Sequence, residues 1–478
     1  MENASAPINR IPPDVLSLIP DYWAWESEGG ERDAESVKLT HVCRSWRVLF
    51  TSRPSLWTRL DCANVDKTRT YIERSRSSPL EVYLGDFYDC QEEAVLLVAP
   101  HAHRLKTLVV YEDQTEALSF RPEHFSAPAP GLKILVIHLT RDEAPSLPDK
   151  LFDGDLSSLR DLTLVGVVTP LPWRGMSNLT TFDLSYTPEN GILLTQLLDF
   201  FESAPRLSHV YLHNSIPGFS NAPTQRVLSM AHLESLTIIA QPVHSILLNH
   251  LSIPAGAAVF SEFSCSDARF PIQSYLSSLD NLRNLSHIAA VNLRIGPEYR
   301  AIRLSGPSGE LHVRGMSENG GTSQGTKRFL RSLDLFNFSR CQWLAVTLTA
   351  YELASSIAAS YQLLDTMKAV RILTLSQCTN LPFISALDPD KCPDQTVLCP
   401  ELEEIVLYIN DPKEVHINQL LKMAKMRASR RAKLSAVTIT VVNGVTTRPE
   451  EVFQLREHVS RVEYRMDVTL PQWDALPV

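Results

Sequence analysis

The feature that most constrains this chain is a recurring apolar triplet with the spacing L-x-x-L-x-L. It occurs as Leu105-Leu108-Val110, Leu132-Leu135-Ile137, Leu159-Leu162-Leu164, Leu179-Phe182-Leu184, Leu207-Val210-Leu212 and Leu233-Leu236-Ile238. Successive first residues lie 27, 27, 20, 28 and 26 positions apart. The fourth and sixth positions are two residues apart, so in a strand they point to one face, and the first position sits at the turn into the strand. Each such side chain contributes roughly 1.5–3 kcal/mol when fully buried. One unit alone cannot offset an ordering entropy of about 1–2 kcal/mol per residue. Stacked units that share a continuous core can.

A period of roughly 20–29 residues is the range of leucine-rich repeats. Helical patterns separate the triplets. The clearest is Ile192–Phe201, apolar at 193, 194, 197, 198 and 201, after which Pro205 ends the helix and Leu207 begins the next strand. Triplets return at Leu330-Leu333-Leu335, Val370-Leu373-Leu375, Leu402-Ile405-Leu407 and Leu434-Val437-Ile439, with helices predicted near 351–366 and 415–430. From about 240 to 329 the cadence loosens. There, Gln273–Leu282 reads as a helix and Leu285-Ile288 as a degraded triplet. Ile302-Leu304 and Leu311-Val313, flanking Gly306-Pro307-Ser308-Gly309, read as a hairpin. Segments 317–327 and 388–399 read as loops. The stretch from Pro449 to Val478 reads as a helix and a short strand that cap the array.

Ahead of the repeats, Val37–Phe50 is apolar at 39, 42, 43, 46, 49 and 50. That predicts one helix, with Ser36 as its cap and Pro54 beyond its end. Upstream, Ile11-Pro12-Pro13-Asp14-Val15-Leu16 opens a helical turn or two, which Pro20 ends. Downstream lies Pro54-Ser55-Leu56-Trp57-Thr58-Arg59-Leu60. Tyr71–Ser75 then reads as a short helix, Ser78-Pro79 as its break, and Leu80, Val82 and Leu84 as a strand.

In this order the three N-terminal pieces resemble the F-box. Ile11-Pro12-Pro13-Asp14-Val15-Leu16 matches its opening, Leu39-Thr40-His41-Val42-Cys43-Arg44-Ser45-Trp46 its middle and Leu56-Trp57 its close. Ile11 and Asp14 stand where Leu and Glu are usual, and a stretch from 23 to 36, rich in Glu and Gly, replaces a short link. The junction Arg74–Leu84 is similar to that of F-box proteins common in mushroom-type fungi, and the whole chain resembles basidiomycete F-box proteins with leucine-rich repeats. That resemblance implies an α/β chain: a three-helix F-box-like module over 1–65, a linker helix and first strand over 66–100, and an irregular repeat solenoid over 101–448. The solenoid would have a parallel inner sheet and a helical outer side, an irregular segment at 240–329, and a cap over 449–478. The function implied is that of the substrate-recognition subunit of a Skp/cullin/F-box-type ubiquitin ligase. Ile11, Pro12, Val15, Leu16, Val42 and Trp46 would dock against a Skp-type adaptor and through it a cullin, and Leu56 and Trp57 would join the module to the repeats. The alternative is a scaffold of the same build with no ligase role.

The third, fifth and seventh triplet positions face away from the core. They supply the candidate target-binding residues: Tyr111, His138, Asp183, His209, Tyr211, His213, Asp334, Phe336 and Tyr408. Aromatic rings flanked by Asp and His suit a protein target, and the same positions also suit plain solvated strand residues. His209 and His213, four residues apart on one strand, are separated by about 13 Å, whereas a metal holds imidazoles about 2 Å away. They read as surface residues, and no metal ligand is expected there. Cys392 and Cys399 bracket Asp390 and Asp394 but lack further ligands at a zinc spacing. The basic run Lys422, Lys425, Arg427, Arg430, Arg431, Lys433 reads as a solvated helix face.

No Gly-x-Gly-x-x-Gly, Walker loop or His-Glu-x-x-His occurs, so no enzyme activity, catalytic residue or cofactor is expected. A net charge of −9 with mixed signs argues against nucleic acid as a partner. No apolar run reaches the roughly 18 residues of a membrane span. The first residues, Met1–Asn9, lack the basic start and apolar stretch of a secretory signal. Eight cysteines without a Cys-x-x-Cys pair point to reduced thiols and a cytoplasmic or nuclear location.

Overall fold

In the computed structural model, each of the first six triplets becomes a strand. The structure describes residues 11–16, 18, 32–85, 92–113, 121–140, 146–148, 150–169, 175–186, 192–214, 226–240, 242–265, 279–296, 299–317, 329–330, 332–348, 357–376, 381–392, 396–409, 417–442 and 451–467. The chain is mixed α/β with mostly parallel strand pairing, and it divides into two compact units, Met1–Leu207 and Ser208–Val478. Among the described residues no helix is long and apolar enough to cross a membrane.

The first unit carries β1 (Arg59–Leu60), β2 (Leu80–Gly85), β3 (Leu105–Asp113), β4 (Ile134–Thr140), β5 (Asp161–Val165) and β6 (Thr181–Ser185). Each pairs in parallel with the next. The register lines up the fourth positions, Val82, Leu108, Leu135, Leu162 and Phe182, and the sixth, Leu84, Val110, Ile137, Leu164 and Leu184. All are buried. Parallel neighbours need a crossover, and among the described residues two of these carry a 3₁₀ turn, Pro122–Phe125 and Leu151–Gly154. After β6 a helix does form, over Leu194–Ser203, the Leu193 N–H donating to Gln196 Oε1 at 3.0 Å. It packs Phe200 and Phe201 onto Phe182, with ring centroids 4.5 and 6.4 Å apart.

Two expectations for the N-terminal region need correction. The single helix predicted over 37–50 is two, Arg32–His41 and Arg44–Thr51, and Ser36 lies inside the first. Cys43 is extended and caps the second helix, its Sγ accepting the Trp46 N–H at 3.5 Å. The break has a packing reason. On one straight helix, Leu39 and Phe50 would lie about 16 Å apart along the axis. Broken at Val42-Cys43, the chain brings both into one buried cluster with Leu16 and Trp46. Second, the sheet starts earlier than Leu80. Trp57-Leu60-Cys62 has the triplet spacing and is fully buried, and Leu60 pairs with Val82. The first rung therefore falls within residues assigned to the helical module. The helix expected over 71–75 is longer, Val65–Ser75, because Asn64 caps it through a bond from the Lys67 N–H.

In the second unit, β7 (His209–His213), β8 (Leu228–Ser229), β9 (Ser235–Ala240), β10 (Leu251–Ser252) and β11 (Ala258–Cys265) come first. Then follow β12 (Ala290–Ile295), β13 (Tyr299–Gly306), β14 (Gly309–Ser317), β15 (Trp343–Leu348), β16 (Ile372–Ser376), β17 (Glu404–Ile409), β18 (Ala436–Val442) and β19 (Arg461–Asp467). β7, β9 and β11 pair in parallel, as do β15 to β19 and the short pair β8 and β10. The expected hairpin is present as β13 and β14, and it is inserted into the sheet. β14 runs parallel to β11, β13 is antiparallel to both β14 and β12, and β12 resumes the parallel run with β15. Asn284 Nδ2 ties the insertion down by donating to Ala257 O at 3.3 Å and Glu310 O at 2.8 Å.

The hairpin turn depends on its glycines. A Cβ on Gly306 would lie 2.0 Å from His287 O, and Gly309, at φ +119°, would place one 2.5 Å from Ala257 O. Gly309→Ala is expected to cost about 1–3 kcal/mol of backbone strain, read as a lower urea midpoint.

Three further triplets are ones that a search for leucine passes over, the first of them within the loose segment. Ile288-Val291-Leu293 forms β12, Cys341-Leu344-Val346 forms β15 and Val459-Val462-Tyr464 forms β19. By contrast, Leu285 and the Leu333-Leu335 pair lie in 3₁₀ turns, so the triplets assigned to them are corrected. Helices at Ile357–Thr366 and Ile417–Ser429 lie where the pattern predicts them, and a further short helix covers Leu381–Ala386. Within 388–399, Pro389–Lys391 forms a 3₁₀ turn. The C-terminal helix is Glu451–Leu455, and the strand after it, β19, pairs with β18. The helix expected at 273–282 and the loop at 317–327 fall mostly outside the described residues.

Candidate functional site

The helical module sorts its six adaptor candidates by burial. Leu16 and Trp46 are 5% and 7% exposed and form its interior with Leu39 and Phe50. Trp46 meets Phe50 edge-on at 5.3 Å. Ile11 is half-buried against that cluster. Pro12 is exposed, and Val15 and Val42 are 48% and 54% exposed. So Leu16 and Trp46 shape the module from within, and only Pro12, Val15 and Val42 present a bare surface. Arg47 holds the two main helices together, its Nε donating to Thr40 O at 3.0 Å.

Three exposed apolar residues escaped the sequence reading: Leu18, Val37 and Val48, the last 64% exposed. Leu18 is a helical turn beyond Val15, its N–H donating to Val15 O at 3.0 Å. The signal for Val48 was present. It lies off the stripe 46, 49, 50 that its helix buries, and an apolar residue off the stripe has no core to face.

On the sheet face of the first unit that carries the outward positions, Tyr111, His138, Val165 and Ser185 lie in register across β3 to β6, the last two buried, and Val109, Val136, Thr163 and Asp183 form the adjacent row. The Tyr111 and His138 rings are in contact, 4.4 Å between centroids. Asp183 Oδ1 accepts the Ser185 hydroxyl at 2.8 Å. In the second unit His209, Tyr211 and His213 share one face of β7. His209 Nδ1 is 2.9 Å from Ser235 Oγ, and the Tyr211 and His213 rings stand perpendicular at 6.1 Å.

Tyr408 lies in a row with Thr347, Ser376 and Thr440. Asp334 and Phe336 do not join any such face. Asp334 sits in a 3₁₀ turn and accepts from Gln362 Nε2 at 3.0 Å, while Phe336 is buried beside Phe338. The reason is the shifted triplet: with Cys341 at the first position, the outward residues are Trp343, Ala345 and Thr347. Trp343 is half-buried, and its indole N–H donates to Thr374 Oγ1 at 3.1 Å. The inserted hairpin adds a further outward row, with Phe260 against His312 (4.8 Å) and Arg303 paired with Glu310 at 2.9 Å.

The basic run at 422–433 is not uniformly solvated. Arg427 is fully buried, and its guanidinium donates to Leu398 O at 2.7 Å and Cys399 O at 2.9 Å. Burial lowers its pKa, with the neighbouring Cys399 and Cys392 acting the other way. Burial likewise pushes the Cys399 thiol up to about 12. Cys399 has φ +44°, so Arg427 clamps a turn in a sparsely populated conformation. Arg427→Ala removes both donors from buried carbonyls and leaves a cavity. A loss of about 3 kcal/mol or more is expected in urea unfolding. Among the described residues no group of three His, Cys, Asp or Glu side chains is placed to hold a metal ion. The string Gly321-Thr322-Ser323-Gln324-Gly325 has the spelling of a serine-hydrolase elbow within a polar run, and it lies outside the described residues.

Neither a protein-family model nor a curated protein matches this chain.

Proposed function

We propose that this protein is the substrate-recognition subunit of a Skp/cullin/F-box-type ubiquitin ligase, built as an F-box-like helical module followed by an irregular leucine-rich repeat solenoid. The observation that carries this reading is the division of apolar residues in the module. Leu16, Leu39, Trp46 and Phe50 fill its interior, while Val15, Leu18, Val42 and Val48 are left exposed. A module of this size with that many bare aliphatic side chains is suited to a partner surface. In this reading Pro12, Val15 and Val42 touch the Skp-type adaptor, with Ile11 beside them, and Leu16 and Trp46 position them.

The repeats would present the target. Tyr111 with His138, and in the second unit Tyr211, Trp343 and Tyr408, supply outward aromatic groups of the kind that anchor protein interfaces. The chain would contribute no catalytic group. It raises the effective concentration of target near a charged conjugating enzyme delivered by the cullin arm. A cytoplasmic or nuclear location is part of the same proposal. Gel filtration of the full chain mixed with a Skp-type adaptor tests it. Coelution at equal stoichiometry is expected, and separate elution would move the reading to a repeat scaffold without a ligase role.

A further inference from the structure

A second feature lies in the first unit, where β2, β3 and β4 begin. Residues at the starts of these strands line a partly open cavity of about 700 Å³. Apart from Ser77 its polar lining is basic: Arg76, His101, His103, Arg104, Lys106 and Lys133, with no acidic residue among the groups that line it. This stands out on a chain with a net charge of −9. The backbone holds the cations in place. Lys133 N–H donates to Lys106 O at 2.8 Å, so the two lysines stand on neighbouring strands. Arg104 is held half-buried by bonds to Ser78 O (3.0 Å) and Ser75 Oγ (2.6 Å). Its position has a local reason, since these groups close the C-terminal end of the Val65–Ser75 helix, where cations are favoured.

Lys106 pairs with Glu81 at 2.8 Å. Arg76 and Lys133 have no such explanation. Among the described residues neither the Arg76 guanidinium nor the Lys133 ammonium has a hydrogen-bond or ion-pair partner. Arg76 also sits at φ +51°, an unfavoured conformation for a side chain of its kind. Counting Arg76, Arg104, Lys106 and Lys133 against Glu81 leaves an excess of three positive charges around one cavity. The imidazoles of His101 and His103 lie 6.3 Å apart at its wall. Burial, and then the positive neighbours Arg104 and His103, lower the pKa of His101, consistent with a local positive field.

We propose that this cavity binds a small polyphosphate through Arg76, Arg104, Lys106 and Lys133. A single phosphate carries too little charge to answer an excess of three, whereas a chain of two or three phosphates matches it, and guanidinium groups bind phosphate oxygens with charge-assisted bonds. The volume lies within the roughly 300–1,000 Å³ of small-ligand sites, and Pro79 and Leu105 give it an apolar portion that suits an organic group carried by the phosphates. The site is independent of the adaptor-docking reading, since none of its residues belongs to that surface.

The test is calorimetric titration of the full chain with inorganic tripolyphosphate and, separately, with ATP, both without divalent metal. Saturable binding is expected, weakened at least 10-fold in Arg76→Glu/Lys133→Glu and within two-fold of wild type in Lys433→Glu, an exposed lysine outside the cavity. ATP binding at least 10-fold tighter than tripolyphosphate assigns an organic phosphate, and equal affinities assign the phosphate chain itself. Lys133→Ala, the milder change, serves where the double variant loses its circular dichroism spectrum, and it should weaken binding several-fold. The proposal fails if neither probe saturates below the millimolar range or if the cavity variants bind as wild type does. It also fails if an oligonucleotide or a multiply phosphorylated peptide binds more than 10-fold tighter than both.

Discussion

Val15→Asp combined with Val42→Asp is expected to abolish coelution with a Skp-type adaptor while leaving the folded chain unchanged. Both side chains are about half exposed, 48% and 54%, so aspartate there remains in water and alters stability by only about 0.5 kcal/mol either way. In a docked complex the same carboxylates would lose their solvent without gaining a partner, which is strongly unfavourable. A loss of more than 100-fold in affinity, about 3 kcal/mol, is the expected reading. The comparison with Leu16→Ala and Trp46→Ala matters. Those side chains are interior, and their truncation is expected to cost about 2–5 kcal/mol each through the cavity left behind. Lost binding in such a variant reports unfolding of the module as readily as a lost contact. A folded Val15→Asp/Val42→Asp chain that still coeluted with the adaptor would take these residues out of the interface and favour the scaffold reading.

Trp57→Ala is expected to be among the most damaging single substitutions in the chain, lowering unfolding free energy by about 3–5 kcal/mol. Trp57 is fully buried and serves two structures at once. Toward the helical module, its indole N–H donates to Phe50 O at 3.1 Å, at the end of the Arg44–Thr51 helix. Toward the sheet, it is the first position of the rung Trp57-Leu60-Cys62, meets Tyr71 edge-on at 5.1 Å and lies under the Arg74 guanidinium at 4.4 Å. Trp57→Phe keeps most of the volume and loses the hydrogen bond, so a smaller cost is expected, about 1–2 kcal/mol. Chemical denaturation followed by tryptophan fluorescence and by circular dichroism measures both. Equal midpoints for Trp57→Ala and wild type would mean that the rung at β1 is not part of the cooperative core.

Much of the sheet was legible because the triplet is a local code. Where the first position is leucine, as at Leu132, Leu159 or Leu179, the strand begins two residues later and its fourth and sixth positions are buried. The code failed where a residue other than leucine held the first position. Cys341, Ile288, Val459 and Trp57 all do so, because the pocket asks only for an apolar group of adequate shape. It also misled where leucines served a turn, as at Leu333 and Leu335, which carried Asp334 and Phe336 away from the sheet face. The strand face of the candidates on β3, β4, β6, β7 and β17 needed only the alternation of a strand, so that face was readable, whereas Trp343 depended on the phase of a triplet that cysteine concealed.

What the sequence determined by itself is the period, and with it a stack of short parallel strands with one apolar and one open face. That follows from spacing, since a two-residue alternation after a turn places side chains without reference to the rest of the chain. Tertiary structure alone decided which members of an apolar stripe lie inside. Leu39, Trp46 and Val42 look alike in the pattern, yet with the break at Cys43 the first two are buried and the third is left at the surface. It also decided that Arg427, one cation in a basic run, is interior, and that residues at the starts of three different strands gather their charges around one cavity. Hydrophobic patterning assigns a face within one element. Burial and charge crowding depend on what distant elements bring against that face, and the pattern of a single element carries no information about them.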